Sequence, residues 1–537
     1  MLIQNKIKTY TGAKAIIETL KSLGVNTIFG YPGGVVLDLY DELYFDKDIK
    51  HILTRHEQAA VHAAEGYARE TGKCGVVLVT SGPGATNTVS GIMNAYLDGY
   101  PLIILTGQVN AHLLGQDAFQ EANICEITKT CTKRTFQITS ADDIEDTLKE
   151  AFKIANSGKK GPVVIDLVKD IFKQETVAPS NKISAIAERI ENHTISTAAL
   201  ENAILNSTRP LIVAGGGVNH SKAESELYEF AATHKIPVVS TMMGLGSFPQ
   251  ESKNYLGMIG IFGDNSANKA LTEADLVISL GARFNDRITN RDVLHGKLFQ
   301  IDINPQEISR VITPVNSIVG DIKEILSNTK FNKTFYTWLE LSQGYRKLNK
   351  EEKRTTNLLH SFEVIRKIED FTKEMNVTFT SEVGQHQLWT VHNLKLNKNR
   401  KIFVSGGTGT MGFGLPAAIG ASVASPEKTV ICITGDGSFQ MGLHELATCK
   451  DNNLNVKIMI LNNGYLGMVR QLQEKQCNRR YSETKISNPD FVTLAKSYGI
   501  DAIRVTNSKE IENALHTAFS TDKPFVIDFV VEPMETL

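Results

Sequence analysis

The sequence has few cysteines and no pair of them arranged for chemistry. Cys74, Cys125, Cys131, Cys432, Cys449 and Cys477 are the 6 cysteines among 537 residues, and none forms a CxxC pair or a zinc-ligand spacing. That excludes a disulfide framework or a zinc site, and the mostly apolar neighbours of these thiols place them in cores. Charge of one sign is lacking too. Lys and Arg number 57 against 59 Asp and Glu, with no basic cluster, which argues against nucleic acid or an anionic membrane as partner. No run of 18 apolar residues occurs, so no spanning helix is expected. Met1 to Lys8 lead directly into an amphipathic helix pattern at Ala13–Leu23 without a signal or transit pattern, and the expected location is cytoplasmic. Short-period repeats and low-complexity tracts are also missing.

What is present is an alternation of short Val/Ile/Leu runs with helical patterns, the signature of doubly wound parallel-sheet α/β domains. A chain of 537 residues is too long for one core and should hold about three such domains. The first is expected over 1–173, with strands at Gly75–Thr80, Leu102–Leu105 and Pro162–Asp166. A polar stretch at Gln174–Glu191 reads as a linker. The second domain is expected over 192–327, opening with Pro210–Ala214 and a run of three glycines, Gly215, Gly216 and Gly217. Asn328–Asn357 reads as a second connector, in which Trp338 and Leu339 pack on a neighbour. The third domain is expected over 358–537.

The most informative stretch lies in that third domain. Thr429–Thr434 reads as a buried strand, Gly435-Asp436-Gly437 as a tight turn, and Val456–Leu461 as the neighbouring strand ending in Asn462-Asn463. The Asp436 carboxylate and the Asn463 amide oxygen then meet at one sheet edge, where two hard oxygen ligands beside a glycine-rich turn suit Mg²⁺ carrying a diphosphate. The tripeptide alone is expected by chance roughly 0.1–0.2 times in such a chain; the spaced Asn pair is what gives it weight. In the first domain, Arg55-His56-Glu57-Gln58 opens a small-residue helix, where a carboxylate is ordinarily a cap or dipole partner. Thr80–Asn87 is a second glycine-rich strand-to-helix turn, and Asp117–Glu121 is a polar loop with one aromatic.

Together with Gly30–Gly34, Gly281–Arg287, Gly384–His386, Thr410–Pro416 and Gly467–Gln471, these segments resemble the thiamine-diphosphate enzymes, and among them the acetolactate (acetohydroxyacid) synthase large subunits, over nearly the whole chain. The resemblance implies three domains that bind the thiamine pyrimidine, FAD and the thiamine diphosphate with Mg²⁺. Asp436, Asn463 and the Tyr465 carbonyl would hold the metal. Gln385, His386, Gly437 and Ser438 would hold the phosphates, with Gly33, Gly34, Gly409, Met411 and Met468 around the cofactor. Glu57 would bond the pyrimidine ring nitrogen across a dimer. Gly215–Gly217, Thr241, Gly281, Arg283, Asp302 and Asp321 fall on FAD contacts. Gln120, Lys169 and Arg283 would serve the reaction, and Phe119 and Leu472 would wall the substrate pocket. The implied reaction decarboxylates pyruvate and adds the two-carbon unit to a second 2-keto acid, giving 2-acetolactate for branched-chain amino acid synthesis. A homodimer or homotetramer, with a possible small regulatory subunit, would carry it out. Related alternatives are an aldehyde or keto-sugar acceptor, or a pyruvate decarboxylase or oxidase. A non-catalytic paralogue is disfavoured by the joint presence of Glu57, Asp436 and Asn463.

Four departures from the family pattern stand out. Leu472 replaces a Trp associated with preference for 2-ketobutyrate, Ile261-Phe262 replace Met-His, and Thr408 and Gly464 replace Leu and a polar residue. The sequence ends at Pro533–Leu537 without the family's closing tail, which would let aldehyde release compete with carboligation.

Overall fold

The computed structural model describes residues 8–180, 195–288, 291–349, 351–397 and 399–537. It contains three six-stranded sheets in which every paired strand runs parallel. The first is built from Thr27–Tyr31, Lys50–Leu53, Gly75–Val79, Leu102–Gln108, Arg134–Ile138 and Pro162–Val168. The third uses Val377–Ser381, Lys401–Val404, Thr429–Gly435, Val456–Asn462, Asp501–Val505 and Phe525–Val530. Numbered by chain position within each sheet, both have the order 2-1-3-4-6-5. The middle sheet, Pro210–Ala214, Val238–Ser240, Tyr255–Met258, Leu276–Leu280, Leu298–Asp302 and Asn316–Val319, has the order 3-2-1-4-5-6 of dinucleotide-binding folds. Strands buried on both faces explain the continuous Val/Ile runs of the sequence.

Chain connectivity puts the glycine-rich turns at the carboxyl edges of these sheets, where open α/β sheets bind ligands. The pairing of Thr429–Gly435 with Val456–Asn462 sets Gly435 opposite Leu461, which delivers Asp436 and Asn463 to the same edge. Among the described residues no helix is long and apolar enough to cross a membrane. Residues 181–191 of the linker expected at Gln174–Glu191 lie outside the described residues; just before them Glu175–Val177 pairs antiparallel with Thr9–Thr11. The stretch Asn328–Asn357 is more than a connector. Its helix Tyr336–Gln343 buries Trp338, whose Nε1 donates to Pro210 O at 2.9 Å.

The first and third domains are joined through helices Glu57–Thr71 and Gly414–Ala424. A Cβ on Gly66 would lie 2.2 Å from Ala417 O, and one on Gly420 would lie 1.8 Å from Ala63 O, so the two backbones touch. One buried cluster runs from Phe29 and Val77 through Ala417 and Ile419 to Val430 and Ile458. Gly420→Ala should therefore destabilise the protein by about 1–3 kcal/mol through overpacking. The control is Gly344→Ala, where a Cβ meets nothing within 4 Å. Thermal unfolding with Tm lowered only in the first variant is the expected result; equal Tm values would contradict the packing account.

Candidate active site

A cavity of about 1000 Å³ opens between the middle and third sheets. Its third-domain wall is made by three helix starts: Gln385–Asn393, Asp436–Phe439 and Gly467–Gln476. Gly384, Gln385, His386, Gly409, Met411, Asp436, Gly437, Ser438, Asn463, Tyr465, Met468 and Leu472 all line it. Helix N-termini present unpaired N–H groups and positive partial charge, so their convergence favours a polyanion. Gly384 takes φ +155 at one of these turns, and a Cβ on Gly435 would lie 2.7 Å from His386 Nδ1, so side chains are excluded where the cradle closes.

The carboxylate of Asp436 is buried among uncharged donors. Its Oδ2 accepts from Gly464 N–H and from Asn488 Nδ2, both at 2.7 Å, and burial pushes its pKa up to about 6. Asn463 Oδ1 faces the same turn and accepts from Tyr465 N–H at 2.9 Å. A desolvated carboxylate supported only by neutral groups fits a bound cation. Among the described residues no three His, Cys, Asp or Glu side chains cluster as a metal site, so the fit rests on one carboxylate, an amide oxygen and a carbonyl. His386 fits a phosphate oxygen: burial lowers its pKa to about 4, and its buried Nε2 has no hydrogen-bond partner among the described residues. Gln385 differs from expectation in detail. Its Nε2 is engaged by Gln471 Oε1 at 2.7 Å and Glu535 O at 3.0 Å, which leaves its backbone N–H for the cradle.

The first-domain candidates form a second group that does not line this cavity. Glu57 is the first residue of its helix, yet His56 is the cap, its Nδ1 accepting Gln58 N–H at 3.1 Å. The cap reading of Glu57 is thereby displaced, and among the described residues its carboxylate accepts from Asn87 Nδ2 at 3.0 Å. A Cβ on Gly84 would lie 3.5 Å from Glu57 Oε1, and one on Gly33 would meet Thr80 at 2.5 Å, with Gly34 open beside it. A Cβ on Gly82 would lie 2.9 Å from Gln120 Cα, and Lys169 N–H reaches Val109 O at 3.4 Å at the same sheet edge. Asp117 and Gln120 hold positive φ values of 54 and 60 around Phe119, which is 87% exposed. Glu121 fixes that loop by accepting from Gly115 and Ala118 N–H at 2.5 and 3.1 Å. An aromatic displayed on an ordered, strained loop marks a contact surface.

Comparison with known proteins decides the family. Residues 10–127, 197–329 and 382–529 match, in turn, the N-terminal TPP binding domain, the central domain and the C-terminal TPP binding domain of thiamine pyrophosphate enzymes. The chain is 43% identical to a probable acetolactate synthase large subunit of Methanocaldococcus jannaschii, over 98% of this chain and 93% of that protein. It is 40% identical to the acetolactate synthase large subunit of Haemophilus influenzae and 39% identical to the isozyme 2 large subunit of Escherichia coli. Both matches cover 98% of this chain and 96% of the relative. The chain belongs to the acetolactate synthase large-subunit family of thiamine pyrophosphate enzymes.

The middle-domain end of the same cavity is a second candidate binding surface. Gly216, Gly217, Thr241, Gly281, Arg283, Asp302 and Asp321 line it. Gly215 lies beneath, where a Cβ would come 2.2 Å from Gly281 O. Gly217 and Gly281 (φ +58) pack against each other where the strand order reverses, leaving a flat floor at the switch point that suits a dinucleotide. Arg283 lines the cavity, where its charge acts on the buried carboxylates of Asp98 and Asp302. Asp321 Oδ1 is spent on capping helix Ile322–Asn328 through Lys323 and Glu324 N–H. Ile261, 61% exposed, and Phe262 stand at the same wall.

Several supporting residues were not legible in the sequence. Asn488 bridges Asp436 and Asn462, bonding Asn462 Oδ1 at 2.9 Å, but nothing in its local sequence signals this. Glu382 is fully buried and accepts Gly412 N–H at 2.7 Å and Leu415 N–H at 3.2 Å, holding the turn that carries Met411. Burial raises its pKa to about 7. The folded value lies above the unfolded 4.5, so its contribution to stability is full below pH 4.5 and lost as pH rises through about 7. The stability difference between wild type and the non-titrating Glu382→Gln should shrink over that window and flatten above it. Denaturant unfolding at a series of pH values checks this; a pH-independent difference would contradict it.

Proposed function

We propose that the chain is a thiamine-diphosphate-dependent carboligase that forms 2-acetolactate from pyruvate, working with Mg²⁺ and FAD. We propose further that its active site is completed between two copies of the chain. The observation that carries this is the separation of the two groups: the Asp436 cradle lines one cavity, whereas Glu57, Gln120, Phe119 and Lys169 gather at another sheet edge outside it. One chain alone holds two half-sites.

When bound, the thiamine cofactor supplies the electron sink that lets a 2-keto acid lose CO₂ and form a new carbon–carbon bond. The protein's share is positioning, charge and dryness. Asp436, Asn463 and the Tyr465 carbonyl hold Mg²⁺, and the backbone of Gln385, Gly437 and Ser438 with the His386 ring holds the diphosphate. Met411 and Met468 line the apolar part of the pocket. Glu57, supplied by the second copy, would bond the pyrimidine ring of the bound cofactor and serve there as the proton-transfer group. Arg283 offers a planar fork to a substrate carboxylate. Gln120, Lys169 and Phe119 close the wall from the second copy. Gly216, Gly217 and Gly281 would provide the floor that holds FAD, with Asp302 and Asp321 further along the same wall. The relatives are named large subunits, and a small regulatory subunit is the corresponding partner.

Incubation with pyruvate, thiamine diphosphate and Mg²⁺, with and without FAD, should yield 2-acetolactate; a different product would sink the assignment. Leu472, on the cavity-facing side of helix Gly467–Gln476, sets acceptor choice. Its small aliphatic side chain should leave pyruvate and 2-ketobutyrate poorly distinguished. Leu472→Trp should raise the 2-ketobutyrate preference about tenfold, the value of one added apolar contact of 1–2 kcal/mol. Competition between the two acceptors measures it, and strong 2-ketobutyrate preference in the wild type would refute it.

A further inference from the structure

The loop ahead of Glu57 is gripped by one segment of the third domain of the same chain. Glu445 Oε1 accepts from the backbone N–H groups of Arg55 at 2.8 Å and His56 at 3.1 Å. Thr448 Oγ1 lies 3.1 Å from Leu53 O, and Arg55 Nη2 pairs with Asp451 at 2.5 Å. The Glu445 side chain is fully buried, its second oxygen taken by Thr448 Oγ1 at 2.6 Å. Burying a carboxylate is costly, and this one is satisfied largely by two consecutive peptide groups of a distant loop. Burial raises its pKa to about 7. It does not line the cavity. The segment it belongs to follows directly on Asp436–Phe439, so the two half-sites of one chain are mechanically adjoining.

We propose that Glu445 is a positioning residue for Glu57: by fixing the two N–H groups that precede it, Glu445 sets the direction in which the helix presents its first carboxylate. This rests on the assignment of Glu57 to the thiamine pyrimidine. A helix start is aimed by the residues just before it: buried Thr54 Oγ1 donates to His56 O at 3.2 Å, and Glu445 is the one side chain that holds both consecutive N–H groups among the described residues. Glu445→Asp keeps the charge but shortens the arm. Glu445→Gln keeps the arm and an acceptor oxygen, with its amide turned to Thr448.

Three measurements separate aiming from mere structural support. They are amide hydrogen exchange of the 53–57 peptide in the protein without cofactor, affinity for thiamine diphosphate with Mg²⁺ by fluorescence titration, and hydrogen–deuterium exchange at the thiazolium C2 of bound cofactor by NMR. Glu445→Asp should lose amide protection and slow C2 exchange by about tenfold or more, with affinity within about threefold of wild type. Glu445→Gln should stay within about threefold in all three. Unchanged C2 exchange in Glu445→Asp, affinity falling in step with it, or equal loss in Glu445→Gln would each overturn the proposal. Should Asp at this position prevent folding, Thr448→Val must slow C2 exchange by about threefold, and an unchanged rate overturns it. Glu57→Gln is the control. If it leaves C2 exchange unchanged, the reading of Glu57 itself fails; if it slows exchange while Glu445→Asp does not, only the Glu445 proposal fails.

Discussion

Glu57→Gln should lower the rate of acetolactate formation by about 10²–10⁴, the range for removing a positioned proton-transfer group. The substitution is nearly isosteric. His56, not Glu57, caps the helix, and Gln retains an oxygen for Asn87 Nδ2, so neither the helix start nor its one side-chain bond is lost. Tm and cofactor affinity should therefore hold while the rate falls, which distinguishes a lost proton carrier from a lost fold. Rates with pyruvate at saturating cofactor, together with a thermal scan, give the answer. Undiminished activity would remove Glu57 from the mechanism, and a large fall in Tm would make it structural.

Asp436→Asn should produce the complementary defect. The carboxylate is buried, its Oδ2 accepts from Gly464 N–H and Asn488 Nδ2, and burial raises its pKa to about 6. Removing its charge relieves a desolvation cost in the protein alone but takes away the one anionic ligand for the cation. Affinity for Mg²⁺ and thiamine diphosphate should fall by at least about 10–100-fold, the scale already seen for residues that merely orient metal ligands. Wild type at a ligand concentration 100 times Kd gains about 2.7 kcal/mol from binding, whereas the variant at the same concentration should gain only about 0.4–1.4 kcal/mol. Thermal shifts with and without Mg²⁺ and cofactor read this directly. Equal ligand-induced shifts would contradict the metal assignment, and an unliganded Tm far below wild type would mean that Asp436 chiefly holds the Gly464 turn.

The fold was legible because parallel sheets write themselves as short apolar runs ending in glycine turns. Thr429–Gly435 and Val456–Asn462 fall within one residue of expectation, and so does the helix Gly12–Ser22 expected at Ala13–Leu23. The equal strand order of the first and third sheets was not legible, because topology is set by which strands pair and not by residue identity. The cradle was legible for a similar reason: Asp436 and Asn463 lie at the ends of adjacent strands, where register alone brings them together. Residues that act from a distance left no sequence signal. Asn488 reaches Asp436 from a loop 52 positions away, and Glu445 reaches Arg55 across 390. Gln385 shows the opposite case: it lines the cavity, but its amide group is committed to Gln471 and Glu535. The helix Tyr336–Gln343 was hidden by the polar composition around it, which masks how Trp338 anchors to the middle sheet.

The most direct test of a site shared between two copies is complementation. Glu57→Gln and Asp436→Asn chains, each nearly inactive alone, are co-expressed with different tags and the mixed dimer is isolated. If one copy supplies Glu57 and the other Asp436, a mixed dimer contains one intact site and one doubly defective one. An unfractionated equal mixture should recover roughly a quarter of wild-type specific activity, and the purified mixed dimer about half. A mixed dimer no more active than either parent would show that Glu57 and Asp436 serve the same chain, and would contradict the shared site.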